Sequence, residues 1–462
     1  MATATTHPFI NELLERAISV VRTAVVAASR HGVQVQARSG GHSYTSFSHG
    51  GRDGAVVIDL RNLQDVELRK DTHSGRNGPW IAKVGGGVRL GNLALDLYYK
   101  KKLALSHGTC PSVGIGGHFT HGGYGHCSRA WGLAMDQIVA MDVVLADGSL
   151  VYTDAGVHED IFYAMRGAAE SFGIVVNFYL RTQPAPKETI RWTYHFGDLI
   201  GDTGGAGCGL CHKLVQDDSV VDRNLSFGVN LSAKRFEISG VYLGSVETYA
   251  YTIEPAILRC FPKAPRECSE WEVLNWLYTL RSLAGDGLFT DDSCQERGNF
   301  FAKSVTVPEP GLSAAALTSY FEHIEAISAP YFLEEGEEDN VAGWWAIIAL
   351  YGGADSQINN VSRHSEAAYP HRDLLWVAQH YGFFDEFKPF PDSGLKLIED
   401  LNEAMTRHMD GRCKAYINYT DSSLSREQAH ALYYGDEVLA RLRAIKKRVD
   451  PGNVFAHPQS IE

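Results

Sequence analysis

The chain has 462 residues, too many for one hydrophobic core, so two or three domains are expected. Its 44% hydrophobic and 21% charged content is that of a globular protein in water, and a formal net charge of −13 argues against nucleic acid and anionic membrane surfaces as partners. No run of about 18 apolar residues marks a membrane-spanning helix, and the N-terminus, MATATTHPFINELLERA, lacks the basic region and apolar core of a signal peptide.

In chain order, helical periodicity covers about residues 10–30 and ends at the C-cap signal His31-Gly32. VQVQA then alternates as a strand and runs into the turn Arg38-Ser39-Gly40-Gly41-His42-Ser43. GAVVIDL and WIAKVGGG read as further strands, separated by the polar insert KDTHSGRNG, and VRLGNLALDLYYKKKL as a helix. The densest glycine stretch follows, GTCPSVGIGGHFTHGGYGHCSRAWG, and then the hairpin IVAMDVVLADGSLVYTD with its Asp147-Gly148 turn. HEDIFYAMRGAAESFGIVVNFYLRTQP supplies a helix, a glycine-bearing turn and a strand. From about Pro184 strands such as RWTYHF, FEISGVYLG and WWAIIALYGG alternate with longer helices such as AALTSYFEHIEAI and GLKLIEDLNEAMTRHM, which reads as a second, α+β domain. A charged helix, DEVLARLRAIKKRV, is stopped by Asp450-Pro451-Gly452.

Several common motifs are missing. No G-x-G-x-x-G opens a helix after a strand, and no P-loop or G-x-S-x-G elbow is present. The eight cysteines do not follow a zinc pattern. Cys208-Gly209-Leu210-Cys211 stands alone in what reads as a glycine-rich loop, which argues against a thiol-redox or metal role. His107, His118, His121 and His126 cluster without the i, i+4 spacing of a helical metal site, so no metal is expected. Sequons at Asn224, Asn230, Asn360 and Asn418 are frequent by chance.

Four pieces remain in order: the Arg38–Ser43 turn; Ser106-His107-Gly108-Thr109-Cys110-Pro111-Ser112-Val113-Gly114-Ile115-Gly116-Gly117; His121-Gly122-Gly123-Tyr124-Gly125 with the hairpin; and Arg166-Gly167 through Ser171-Phe172-Gly173-Ile174-Val175. Near the C-terminus stand Ala415-Tyr416-Ile417-Asn418-Tyr419, Tyr433-Tyr434-Gly435 and Asp450-Pro451-Gly452-Asn453-Val454-Phe455. Together they resemble the FAD-linked oxidases of the vanillyl-alcohol oxidase superfamily, in particular the berberine-bridge-enzyme-like branch with its fungal glucooligosaccharide and chitooligosaccharide oxidases. The resemblance covers Gly32 to about Thr182 and about Lys414 to Ile461.

The resemblance implies an α+β fold. A two-part FAD-binding domain of the p-cresol methylhydroxylase type (residues 1–186 and 414–462) flanks a substrate domain (187–413) whose antiparallel sheet is covered by helices. It implies FAD bonded through His42 to the flavin 8α-methyl group and through Cys110 to C6. Imidazole and thiolate are suited to attack an electron-poor ring. The cofactor-binding set is then Arg38, Ser39, Gly40, Gly41, His42, Ser43, Thr109, Cys110, Val113, Gly114, Gly116, Gly117, His121, Gly173, Val175, Tyr416 and Asn418. A valine at position 113 accompanies oxygen reactivity in such proteins, so an oxidase that makes hydrogen peroxide is expected. The partners are a small-molecule substrate and O2, with the chain a monomer. Family members are often secreted, and they place a strand and a proline-containing turn before the first helix. Here the chain starts almost at that helix, which reads as a divergent or shortened N-terminus.

Oxidation of an alcohol also needs a base. The resemblance assigns it to Tyr419, with Tyr124 as a second catalytic tyrosine that helps lower its pKa. Oligosaccharide oxidases carry a partner aspartate on a strand of the form Q-x-D-L-Y-G-G. Aligned on its LYGG end, Trp344 to Gly353 places Ala349 at the aspartate and Ile347 at the glutamine. Tyr44, Trp345, Ile347 and Ala349 form the candidate substrate set. The two apolar replacements favour a less polar alcohol, or an oxidative cyclisation or C–N oxidation in a biosynthetic pathway, over a carbohydrate. A flavin-binding protein without turnover is the reading from a different class.

Overall fold

The computed structural model describes residues 8–71, 79–197, 202–261, 264–266, 268–285, 287–291, 298–328, 342–360 and 367–462. In chain order the strands are β1 (Val35–Arg38), β2 (Val56–Asp59), β3 (Val66–Lys70), β4 (Trp80–Gly85), β5 (Leu103–Ala104), β6 (Ile138–Val144), β7 (Leu150–Asp154), β8 (Ile174–Arg181), β9 (Gln183–Pro184), β10 (Thr189–His195), β11 (Leu225–Ser232), β12 (Arg235–Tyr242), β13 (Glu270–Leu274), β14 (Asn299–Pro308), β15 (Gly343–Leu350) and β16 (Leu374–Phe384).

A five-stranded sheet in the order β3–β4–β8–β6–β7, antiparallel throughout, carries the first part of the chain. Its central strands are buried on both faces, which is why IVAMDVV and IVVNFYL read as near-continuous apolar runs. On one side the helix Pro8–Arg30 lays Val21, Val25 and Ala28 against Val144, Ile174 and Val176. The Asp147-Gly148 turn packs so closely on that helix that a Cβ on Gly148 would sit 2.2 Å from Val26. Gly148 also has φ +78°, so glycine is required there on both counts. The parallel pair β1–β2 lies beside this sheet and ends in the Arg38–Ser43 turn.

A second, seven-stranded antiparallel sheet has the order β13–β10–β12–β11–β15–β16–β14. One face is buried under the helices Asp202–Leu214, Ala314–Ser328 and Asp392–Thr406. β15 shows the sorting by side chain: Trp344, Ala346, Ile348 and Leu350 point into that core, while Trp345, Ile347 and Ala349 are half-exposed on the other face. A one-residue slip would exchange the two sets, so burial fixes the register.

The C-terminal segment returns to the first sheet. Val35 bridges Phe455 in parallel, and the fully buried Lys446 ammonium donates to the carbonyls of Ser171 and Phe455 and to Asp450. On this topology we propose the division 1–186, 187–413 and 414–462, with the outer two segments forming one unit.

The structure corrects some local expectations. β3 was unforeseen: Val66–Lys70 is a polar edge strand whose few apolar residues give no clear period-2 signal. The helix expected from VRLGNLALDLYYKKKL spans Leu90–Lys101, and Lys102 at φ +54° turns the chain into β5. Cys208 and Cys211 sit on the helix Asp202–Leu214, not in a loop. Its glycines are poor helix formers, and burial of one face against the sheet outweighs their propensity. Most of the insert KDTHSGRNG lies outside the described residues.

Candidate active site

The site begins where two glycine turns touch. A Cβ on Gly40 would lie 2.2 Å from the Gly114 nitrogen, and one on Gly114 would lie 2.1 Å from the Gly40 nitrogen. Only two bare backbones can approach so closely. The Ser39 hydroxyl locks the junction: it donates to the Gly86 carbonyl at 2.7 Å and accepts from the Gly116 amide at 3.2 Å. Two residues past Gly40 stands His42, and four residues before Gly114 stands Cys110, both exposed. Gly117 is exposed as well, and nothing lies within 4 Å of where its Cβ would be.

Other members of the expected set are engaged by protein. Gly41, at φ +78°, leaves room for the Arg38 guanidinium, whose Nε is 3.9 Å from Asp59. The Ser43 hydroxyl accepts from the Phe47 amide and starts the short helix Phe47–His49. Thr109 lines a small cavity with His107, His126, Cys127 and Trp276. Val113 is half-buried against the main core. At three of the expected positions the protein itself supplies close neighbours. Both ring nitrogens of His121 have protein partners: Nδ1 meets the Gly117 carbonyl at 2.9 Å and Nε2 meets Glu170. Glu170 raises the His121 pKa against its burial, and the same contact holds the Glu170 carboxyl well below the usual carboxylate range. Gly173 is a packing glycine, since a Cβ there would meet Val143 at 2.7 Å and the Val144 carbonyl at 2.8 Å. Val175 is buried, and its carbonyl would lie 2.3 Å from a Cβ on Gly86.

The stretch from Ala415 to Tyr419 is irregular chain laid across the His121–Tyr124 turn. The Tyr416 oxygen accepts from the amides of Gly123 and Tyr124 and from Asn418 Nδ2, at 2.9, 3.2 and 3.0 Å. Asn418 Nδ2 also donates to the His121 carbonyl at 3.0 Å. These bonds position Tyr419, whose ring stacks on Tyr44 at 5.6 Å and meets Tyr416 edge-on at 5.0 Å. Burial first, then Tyr44, Tyr416, Tyr124 and Cys110, push the Tyr419 phenol well above its ordinary value. The thiol and the phenol are thus close enough to influence one another.

Tyr124 does not lower that value. Its hydroxyl donates to the Leu350 carbonyl at 2.8 Å and its ring stacks on Tyr351 at 3.9 Å. Burial pushes its own pKa up to about 12, and Tyr124 is among the groups that raise the Tyr419 value rather than lower it.

The half-exposed face of the second sheet supplies a wall. Trp345 stacks on Tyr381 at 4.5 Å, Tyr381 on Phe300 at 4.7 Å, and Tyr44 meets Phe300 edge-on at 5.0 Å. Ile347 lies between Asn230 and Gln379, and Ala349 between Gly228 and Val377. Gln379 donates to the Tyr44 hydroxyl at 2.7 Å. The buried Glu237 takes Arg235 and His195 and lies opposite Asn230. Sequence reasoning missed Gln379, Tyr381, Phe300, Asn230 and Glu237, because only the strand order places them beside Trp345 and Ile347.

Two family models match: an FAD binding domain over residues 16–154, and the berberine and berberine-like family over residues 415–462. A carbohydrate oxidase from Microdochium nivale is 34% identical over 445 residues, which is 96% of this chain and 85% of that protein. The chain belongs to the berberine-bridge-enzyme-like FAD-linked oxidases. Another such relative, the FAD-linked oxidoreductase dpmaF of Metarhizium anisopliae, is 33% identical over 96% of this chain and 82% of its own length. A solved chitooligosaccharide oxidase superposes with a TM-score of 0.86 at 30% identity, covering 96% of this chain and 90% of that one. A glucooligosaccharide oxidase from Acremonium strictum, described with 6-S-cysteinyl, 8α-N1-histidyl FAD, gives 0.85 at 29% identity, with 96% and 90% covered. As an FAD-linked oxidoreductase, this berberine-bridge-like chain has a site that fits its cofactor: locked glycine turns, open space at Gly117, and an imidazole and a thiol both reaching solvent.

Proposed function

We propose that this oxidase removes a hydride from a substrate carbon that bears a hydroxyl and a proton from that hydroxyl, with O2 as final acceptor and hydrogen peroxide as product. His42 and Cys110 hold FAD covalently. The observation that carries the reading is the backbone contact at Gly40 and Gly114, which sets the two exposed nucleophiles on one junction beside Tyr419. FAD, when bound, supplies the hydride acceptor. Tyr419 takes the hydroxyl proton, Tyr416 and Asn418 hold it in place, and the Tyr44–Gln379 pair borders the reacting group. The aromatic wall excludes water and offers flat faces to a ring. The protein works as a monomer.

Intact mass measured after denaturation tests the attachment. The expected result is the polypeptide plus one FAD, retained through acid precipitation, with His42→Ala plus Cys110→Ala returning the bare chain. A bare mass for the unaltered protein overturns it. Peroxide release in air separates an oxidase from a flavin-binding protein without turnover.

The substrate class follows from the same face. Relatives named carbohydrate, chitooligosaccharide, xylooligosaccharide and glucooligosaccharide oxidases support a sugar hemiacetal, whose faces suit Trp345 and Tyr381 and whose hydroxyls suit Gln379 and Asn230. The second reading is a less polar secondary metabolite, undergoing alcohol or C–N oxidation or oxidative cyclisation. It is favoured by Ile347 and Ala349 and by relatives named FAD-linked oxidoreductases dpmaF and sorD. Ala349→Asp distinguishes them. A half-exposed carboxylate facing an apolar alcohol is expected to lower its kcat/KM about 10-fold or more, while a reducing sugar gains a hydrogen-bond acceptor and is turned over faster. Equal changes for both substrates would show that Ala349 does not set specificity.

A further inference from the structure

The CxxC pair is buried on the helix side of the second sheet, with Cys208 3% and Cys211 1% exposed. A third thiol, Cys260, 5% exposed, meets them from just past the helix Glu254–Leu258. The helix Asp202–Leu214 comes close there because Gly207, one turn before Cys211, has no side chain. A Cβ at that position would lie 3.2 Å from the Cys260 carbonyl oxygen and 2.6 Å from the Phe261 ring. The Cys211 and Cys260 thiols are in hydrogen-bond contact, and Cys260 Sγ also reaches the Ala256 carbonyl at 3.5 Å. Nothing in the alcohol chemistry uses these sulfurs. They lie across the sheet from Trp345, Ile347 and Ala349.

We propose that Cys211 and Cys260 form a peroxide-oxidisable dithiol that closes to a disulfide and joins the two helices. Hydrogen peroxide is the oxidant. The Cys260 sulfur attacks one peroxide oxygen, an S–O bond forms, the O–O bond breaks, and the departing hydroxide takes the thiol proton as water. The Cys211 sulfur then attacks the resulting sulfenic acid, an S–S bond forms, the S–O bond breaks and a second water leaves. Two thiols are oxidised by two electrons and one peroxide is reduced to two waters. Cys260 is the attacking sulfur because the hydrogen bond from Cys211 and the Arg259 charge pull its pKa down against burial.

The purified holoenzyme is treated with added hydrogen peroxide, so the outcome does not depend on which substrate it oxidises. Denaturation, alkylation and mass spectrometry are expected to show two fewer alkylated cysteines and a cross-linked peptide pair containing Cys211 and Cys260, both reversed by dithiothreitol. The melting temperature should rise by about 5 °C, as closing a loop of this length would give. Cys208→Ser keeps the cross-link. Cys211→Ser abolishes it and leaves a dimedone-reactive Cys260, with turnover unchanged. Oxidation of Cys260 to sulfinic acid without a cross-link, a Cys208–Cys260 link, or full alkylation after peroxide treatment would overturn the proposal.

Discussion

Replacing Tyr419 with phenylalanine is expected to lower kcat by about 10³-fold while flavin content and folding stay intact, because general-base catalysis contributes roughly 10²–10⁴. The ring keeps its stack on Tyr44 and its edge contact with Tyr416, so only the proton acceptor is lost. The pH dependence is the sharper test. Burial first, then the surrounding tyrosines and Cys110, hold the Tyr419 pKa well above its ordinary value, and Ala349 on β15 cannot accept a proton. The reactive form is the phenolate. Below the pKa its fraction rises tenfold per pH unit, so the rate of flavin reduction by substrate should climb with pH through the alkaline range and lose that limb in Tyr419→Phe. A pH-independent rate from pH 6 to 9 would remove Tyr419 from the base role. The sign for stability is opposite: because the folded pKa of Tyr419 lies above its unfolded value, the folded state holds the proton more tightly and stability falls as pH rises past the unfolded value.

Replacing Arg129 with methionine is expected to destabilise the fold by about 3–5 kcal/mol, the cost of leaving several buried carbonyls without a donor. Arg129 is fully buried on the short helix Ser128–Trp131. Nε donates to the Gly352 carbonyl at 2.8 Å and Nη2 to the Ala354 carbonyl at 2.6 Å. Nη1 donates to those of Asp222 and Leu225. One guanidinium thus joins the flavin side of the chain to two loops of the second sheet. Burial pushes its pKa down to about 10, which leaves it charged at neutral pH. Methionine fills the volume and strands four carbonyls. Arg129→Lys keeps the charge but cannot fork to four acceptors, so its loss should be intermediate. Thermal denaturation reads both, with a fall on the order of 10 °C for methionine. A shift under 2 °C would mean that water replaces the guanidinium and that the two parts are docked by other contacts.

How much was legible beforehand differs between the two halves of the site. The flavin side is built from short contiguous motifs whose glycines have local causes: a positive φ at Gly41 and a backbone contact at Gly40. Each residue proposed to attach the flavin or to take the proton sits inside its own short motif, so the His42 and Cys110 turns and the Tyr419 segment could be singled out from the chain alone. In β15, by contrast, GWWAIIAL is apolar throughout, and only burial in the fold sorts Trp345, Ile347 and Ala349 onto one face.

What the coordinates decided is everything that depends on distant segments meeting. Gln379 reaches Tyr44 across 335 positions, and Arg129 reaches Ala354 across 225. Glu170 meets the His121 ring and β6 packs on Gly173, contacts that no sequence motif announces. Cys208-Gly209-Leu210-Cys211 is helical although helix propensity there is poor, because burying a helix face on the sheet outweighs it. Local chemistry and periodicity are written in neighbouring residues. Burial, pKa and pairing are properties of what the fold brings up against them, and no window of sequence contains that.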